Sequence, residues 1–151
     1  MRPIGGATMM RRMTMSNEEK QMLLTDLCAR LPYGVKGKLR DSNYTAILED
    51  VRYSCFYPLL VRPLECPLRN DECPLGVNEF KPYLRPMSSM TEEENKDYKK
   101  TFETYENIMG VKLTYTSYSS YDWLNTHHFD YRGLIPMGLA LEAPANMYKN
   151  E

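Results

Sequence analysis

The sequence predicts an α+β fold: an N-terminal helix, a small antiparallel β-sheet, then two C-terminal helices and an extended tail packed on one face. Three observations carry that expectation. A capped, apolar-striped segment opens the ordered part of the chain, strand-like runs broken by turn residues follow it, and the helical pattern returns only after residue 90. At 151 residues the chain fits one domain, long enough to bury a real core.

Ser16-Asn17-Glu18-Glu19 reads as a capping box, in which the serine hydroxyl and the glutamate satisfy each other's orphan amides. Leu24, Leu27, Cys28 and Leu31 follow at spacings of three and four, a narrow apolar stripe, and Pro32 and Gly34 stop the helix, which is expected over 16–31. Val35–Arg40 and Tyr44–Val51 flank the turn formers Asp41, Ser42 and Asn43 and predict a hairpin. Cys55–Val61 is apolar, but Pro58 cannot donate a ladder hydrogen bond, so an edge strand or a broken one is expected. Residues 62–79 read as a long irregular loop, and Phe80–Leu84 as a short extended segment closing against the sheet.

Thr91, or a preceding serine, caps the next helix, and Glu92, Glu93 and Glu94 suit the positive end of its dipole. Tyr98, Phe102, Tyr105 and Met109 fall at i, i+4, i+7 and i+11, which predicts one buried face ending at Gly110. Val111–Thr116 alternates as a short strand or extended linker, and Ser119 or Ser120 then caps a third helix over 120–129. In the tail, Leu139, Ala140 and Leu141 form a small apolar patch expected to dock on the body.

No run reaches the roughly 18–20 apolar residues of a membrane span, and Gly, Pro and Arg interrupt the N-terminus where a secretory core would lie, so a cytoplasmic protein is expected. Five methionines fall within the first 15 residues, which points to a start at Met13 or Met15, with 1–14 a flexible leader and 15–151 the single domain. Nineteen basic and 20 acidic side chains give a net charge of -1, which offers no support to duplex-DNA binding through phosphates. Twelve tyrosines against four phenylalanines favour half-buried, water-touching aromatic surfaces.

Of the four cysteines, Cys66 and Cys73 lie in an internal echo, Glu65-Cys66-Pro67-Leu68 and Glu72-Cys73-Pro74-Leu75. Six residues separate them, wider than the Cys-x2-4-Cys knuckle that brings two thiolates to one zinc, so a proline-punctuated loop with half-buried thiols is expected rather than a metal site. Cys28 reads as a core residue of the first helix. No phosphate-binding glycine loop, dinucleotide fingerprint, nucleophile elbow or His-Glu-x-x-His motif occurs, and no cofactor is called for.

The chemistry-bearing residues concentrate in Tyr121–Ile135, which holds the only tryptophan, Trp123, both histidines, and Asp130 and Arg132 beside Tyr131. On a helix Trp123 and His127 share one face, as do Leu124, His128 and Tyr131. Adjacent histidines point about 100° apart, so His127 and His128 do not reach one metal. Either could pair with Asp130 as a carboxylate-oriented general base, and Asp130 with Arg132 could form an ion pair or bracket an anionic group. Tyr121, Trp123, Phe129 and Tyr131 could form an aromatic stacking surface, or simply glue the helix to the sheet. The sequence favours a non-enzymatic protein-interaction module whose contact surface includes Tyr121, Trp123, Tyr131 and Arg132. The alternatives are an enzyme built on His127 or His128 with Asp130, with or without a metal, and a binder of single-stranded nucleic acid.

Four stretches form a recognisable set: Asn17–Lys20 leading to Leu27–Val35; Phe80–Glu94; Tyr121–Ile135; and Gly138–Pro144 with Met147 and Tyr148. Together they resemble a family of short proteins from gut Bacteroides-type bacteria and their phages. The resemblance implies a cytoplasmic, bacterial or phage-derived setting and a start near Met13, and it supplies no activity. Residues 41–79, which contain the cysteine echo, carry the least of it.

Overall fold

The computed structural model describes residues 15–40, 42–52, 56–64 and 72–148. The expected leader 1–14, the turn residue Asp41, and Cys55 and Cys66 lie outside the described residues, and with Cys66 one half of the cysteine echo.

The fold is mixed α+β, with a mostly antiparallel sheet. Helix α1 spans Asn17–Arg30, and both hydrogen bonds of the Ser16/Glu19 capping box are made. A 3-10 turn, Leu31–Tyr33, carries Pro32, and Gly34 ends it in the left-handed region at φ 67. There follow β1 (Lys36–Leu39), β2 (Thr45–Val51), β3 (Leu59–Pro63), β4 (Cys73–Leu75) and β5 (Phe80–Pro86). Next come α2 (Glu92–Lys99), β6 (Glu103–Glu106), β7 (Lys112–Tyr115), α3 (Tyr118–Thr126), β8 (Phe129–Asp130) and β9 (Leu141–Glu142). Strands are ordered β4-β3-β2-β1-β5-β8 in the main sheet, while β9 pairs with β5 off that path. Only β8 and β9 run parallel to β5.

The core forms where Leu23 and Leu27 of α1 meet Val35, just before β1, and Leu48, Leu59, Val61, Phe80 and Leu84 of the sheet, with Leu134, Leu139 and Ala140 added by the tail. The buried face of α1 is set by Leu23 and Leu27 together with Asp26 and Arg30, so the expected stripe is turned: Leu24, Cys28 and Leu31 are half-buried. The tail patch docks as expected, and the hydroxyl of Tyr148 fastens it by accepting from the Lys36 amide (2.9 Å) and donating to the Tyr83 carbonyl (2.8 Å).

Three expectations are corrected. β3 is not an edge strand, because β2 and β4 flank it; Pro58 sits just before the strand, where its missing N–H costs nothing and its carbonyl accepts from Arg52. The region read as a loop over 62–79 contains the end of β3, strand β4 and a 3-10 turn at Val77–Glu79.

The largest correction concerns 100–110, whereas the short strand expected over 111–116 is found as β7 (Lys112–Tyr115). Helix α2 stops at Lys99, and β6 and β7 form an antiparallel hairpin detached from the main sheet. Hydroxyls close its base: Ser117 Oγ donates to the Thr101 carbonyl (2.8 Å), and Thr101 Oγ1 donates to Ser120 Oγ (2.8 Å). Chain that leaves at Thr101 and returns at Ser117 must fold back on itself. At the tip, Asn107 Oδ1 accepts from the amides of Met109 (2.9 Å) and Val111 (3.0 Å), and Gly110 takes φ 80. Gly110 is therefore a hairpin-turn glycine and not a helix stop. The third helix starts earlier than expected, at Tyr118, and ends at Thr126.

Candidate functional site

A cavity of about 920 Å³ opens where Arg85 and Pro86 of β5 meet the end of α3, the start of α2 and the tail after β9. Two parallel pairings build it. The Arg85 amide donates to the His128 carbonyl (2.7 Å), which brings the end of α3 alongside β5, and the Ala143 amide donates to the Leu84 carbonyl (2.7 Å), which brings in the tail. His127 and His128 both line it.

The two histidines play different parts. His127 caps α3, stacks on Trp123 at 3.9 Å, and shares a 2.8 Å hydrogen bond between its Nδ1 and the Trp123 carbonyl. A carbonyl only accepts, so Nδ1 carries the hydrogen of this bond. His128 takes φ 65, outside the helix, and its buried ring stacks on Tyr148 at 3.6 Å. Leu124, His128 and Tyr131 consequently do not share a helical face, because α3 ends before His128. Trp123 and His127 do stack as the four-residue spacing predicts.

Asp130 is buried and does not line the cavity. Its Oδ1 accepts from the Leu134 amide (2.8 Å) and its Oδ2 from the Ile135 amide (2.9 Å), a clasp on the turn that carries the chain into the tail. The structure brings together the two histidines and leaves Asp130 outside the cavity lining. Arg132 pairs with Asp26 (Nε to Oδ1, 3.1 Å) and not with Asp130. Tyr121 is exposed and lies against Tyr131 at 5.4 Å, while Trp123 is half-buried between Tyr98, His127 and Phe129. Tyr98, Trp123 and Phe129 thus pack α2, α3 and β8 against one another.

Arg85 and Glu94 also line the cavity, and neither stands out in the sequence as a site residue. Their two hydrogen bonds, 2.7 and 2.8 Å, form a bidentate pair, and the Arg85 guanidinium lies 4.1 Å from the centre of the Phe129 ring. The legible signal was the Thr91-x-x-Glu94 capping box, which does form and which orients the same carboxylate. The Arg85 hydrogen bond pulls the Glu94 carboxyl down to about 2, against a smaller opposing effect of burial. A folded-state value below the unfolded 4.5 stabilises the fold above about pH 4.5, and that contribution disappears as the pH falls towards about 2. Glu94→Gln should therefore be less stable than wild type at neutral pH, with the difference shrinking through that acid window. Denaturant melts at a series of pH values check this; curves that stay parallel down to pH 2 would refute it.

A second polar cluster lies under α1. Asp26 and Arg30, both fully buried, pair at 2.7 Å, Arg132 joins them, and Arg30 Nη2 donates to the Phe129 carbonyl (2.6 Å) next to His128. Its sequence signal was an Asp-Arg pair four residues apart on one helix face, which ordinarily marks a solvated pair.

Among the described residues, no group of three or more His, Cys, Asp or Glu is placed to hold a metal ion, and no helix is long and apolar enough to cross a membrane. In comparisons with protein-family models, with curated proteins and with solved structures, nothing matches this chain.

Proposed function

We propose that the chain is a protein-interaction module that docks through the β6–β7 hairpin. One observation carries this: the hairpin is amphipathic and its apolar face has no cover among the described residues. Cross-strand pairs set Tyr105 opposite Leu113 and Glu103 opposite Tyr115 on one face, with Thr104 opposite Thr114 and Glu106 opposite Lys112 on the other. Val111, two residues before Leu113, continues the first face, and Ile108 and Met109 form the tip. Tyr105 is 58 % exposed, Leu113 61 % and Met109 84 %, and Ile108 is fully exposed. An isolated two-stranded hairpin is marginal in water, and contiguous exposed apolar residues usually mark a contact surface. Tyr118, at the base, and Tyr121 extend the exposed aromatics towards the segment singled out in the sequence.

The partner is a protein with a complementary apolar surface, in the bacterial or phage-derived setting that the four-stretch resemblance implies. Catalysis by a histidine and Asp130 has less behind it, because both Asp130 oxygens are engaged by backbone amides.

The double variant Val111→Asp/Leu113→Asp tests the proposal. Both sites are exposed, so stability should stay within about 0.5 kcal/mol per site. A protein captured by the wild-type chain from a lysate of its source organism should be lost from the variant. Retention of the same protein at the same level would overturn the assignment of the hairpin as the docking element.

A further inference from the structure

The β6–β7 hairpin has a free edge as well as an apolar face, and the edge suits a second copy of this chain. We propose that two copies pair antiparallel through β7 and join their hairpins into one continuous sheet. The pairing extends the role of the hairpin as the docking element, on which it rests, and leaves the apolar face open to the protein partner.

The direction of the backbone groups follows from the tip. The Asn107 amide donates to the Val111 carbonyl (3.0 Å), so Val111, Leu113 and Tyr115 turn their backbone groups towards β6. Lys112 and Thr114 therefore turn theirs outwards. The 3.3 Å approach of Thr114 Oγ1 to Thr104 Oγ1 agrees, because side chains come closest in pairs that share no backbone bond. Among the described residues β7 pairs with β6 alone, and no other group bonds to the outward amides and carbonyls of Lys112 and Thr114. Such an edge is a template for another strand. An isolated two-stranded hairpin is marginal in water, and self-pairing doubles its strands.

The sequence of β7 fits its own copy. Centred on Leu113, antiparallel pairing sets Lys112 opposite Thr114 of the other copy, and these outward-facing residues can exchange both N–H···O bonds in each pair. Leu113 then lies beside Leu113 and Val111 beside Tyr115, which continues the apolar face across the joint. Lys112 has no like charge directly opposite it. The other edge does not serve, since β6 carries Glu103 and Glu106 and no cation, and two β6 strands would gather their carboxylates. With β6 excluded, a two-fold axis at Leu113 closes the assembly at two copies.

Sedimentation of the full chain over a dilution series reaching about 1 mM, where even a micromolar Kd fills the dimer, should show a monomer–dimer equilibrium. Isotope-filtered nuclear Overhauser contacts in a mixture of labelled and unlabelled wild-type chains should join Leu113 to Leu113 and Val111 to Tyr115 across copies. Thr114→Pro removes an outward N–H and places the proline ring on the pairing side, without taking a backbone bond from the hairpin. It should weaken dimerisation about tenfold or more, yet still capture the lysate partner that Val111→Asp/Leu113→Asp loses. A dimer without those contacts, assemblies that grow past two copies, or a folded Thr114→Pro variant that dimerises like wild type would overturn the pairing. A wild-type chain that stays monomeric while still capturing its partner through Val111 and Leu113 would also overturn it, and would leave the apolar face standing as the docking surface.

Discussion

Asp26→Ala should cost about 3–5 kcal/mol of unfolding free energy, the range for breaking a buried ion pair by removing one partner. The Asp26 carboxylate accepts from Arg30 Nε (2.7 Å), Arg30 Nη2 (3.1 Å) and Arg132 Nε (3.1 Å). Arg132 is partly exposed and can turn its charge to water; Arg30 is fully buried and cannot. The penalty therefore comes from the guanidinium left behind more than from the bond lost. Replacing both partners, as Asp26→Leu/Arg30→Met, should recover a substantial part of the loss, because a buried pair exchanged for apolar groups of similar size is often close to neutral. Recovery should be incomplete, since the Phe129 carbonyl would lose the closer of its two donors, Arg30 Nη2 (2.6 Å), and keep only the Tyr131 amide (3.2 Å). Urea melts of the single and double variants check this, and a double variant no more stable than Asp26→Ala would contradict it.

Phe80→Ala should cost about 3–5 kcal/mol, as a large ring removed from a packed core leaves a cavity that the surroundings only partly fill. Phe80 is fully buried at the start of β5, within the cluster that joins α1 to the sheet. It also explains Gly37. A Cβ at Gly37 would lie 2.4 Å from Phe80 Cζ and 2.6 Å from the Lys81 carbonyl oxygen, so the ring lies over the backbone of β1 where only glycine leaves room. Gly37→Ala should destabilise by about 1–3 kcal/mol. In the Phe80→Ala background the same substitution should cost less, yet not become neutral, because the Lys81 carbonyl belongs to the backbone and stays in place. Strict additivity in that double-mutant cycle would mean that the ring is not what restricts position 37.

How much of this was legible depends on how local each cause is. The capping box at Ser16/Glu19 closes within four residues and formed as read; Thr91 caps its helix as read, and Glu94 completes a second box there that the sequence reading did not name. The β1–β2 pairing was legible for the same reason, its turn residues lying between two β-rich runs. The error at 100–110 had a local cause too. Tyr98, Phe102, Tyr105 and Met109 fit a helical face, but Thr104, Tyr105, Thr114 and Tyr115 are strand formers, and Asn107-x-x-Gly110 is a type I turn signature between them. Helical spacing and turn chemistry competed there. The turn won because Thr101, Ser117 and Ser120 tie the two ends of the segment together.

The candidate site was legible only as a neighbourhood. His127 and His128 stood out by residue type, and stacking of His127 on Trp123 followed from spacing. Their meeting with Arg85, Glu94, Glu142 and Tyr148 did not, since those contacts join segments tens of residues apart through the parallel pairings of β8 and β9 with β5. The destination of Asp130 was equally hidden, because its partners are backbone amides exposed only by the turn that follows.

By itself, then, the sequence determined the starts of the first two helices, the first hairpin and the residues able to do chemistry, all matters of side-chain type and spacing over a few residues. Tertiary structure alone decided which polar groups are buried together, which strand lies inside the sheet, and which aromatic residues face water. Those outcomes depend on long-range packing, where a residue's environment is set by neighbours that its own stretch of chain does not contain.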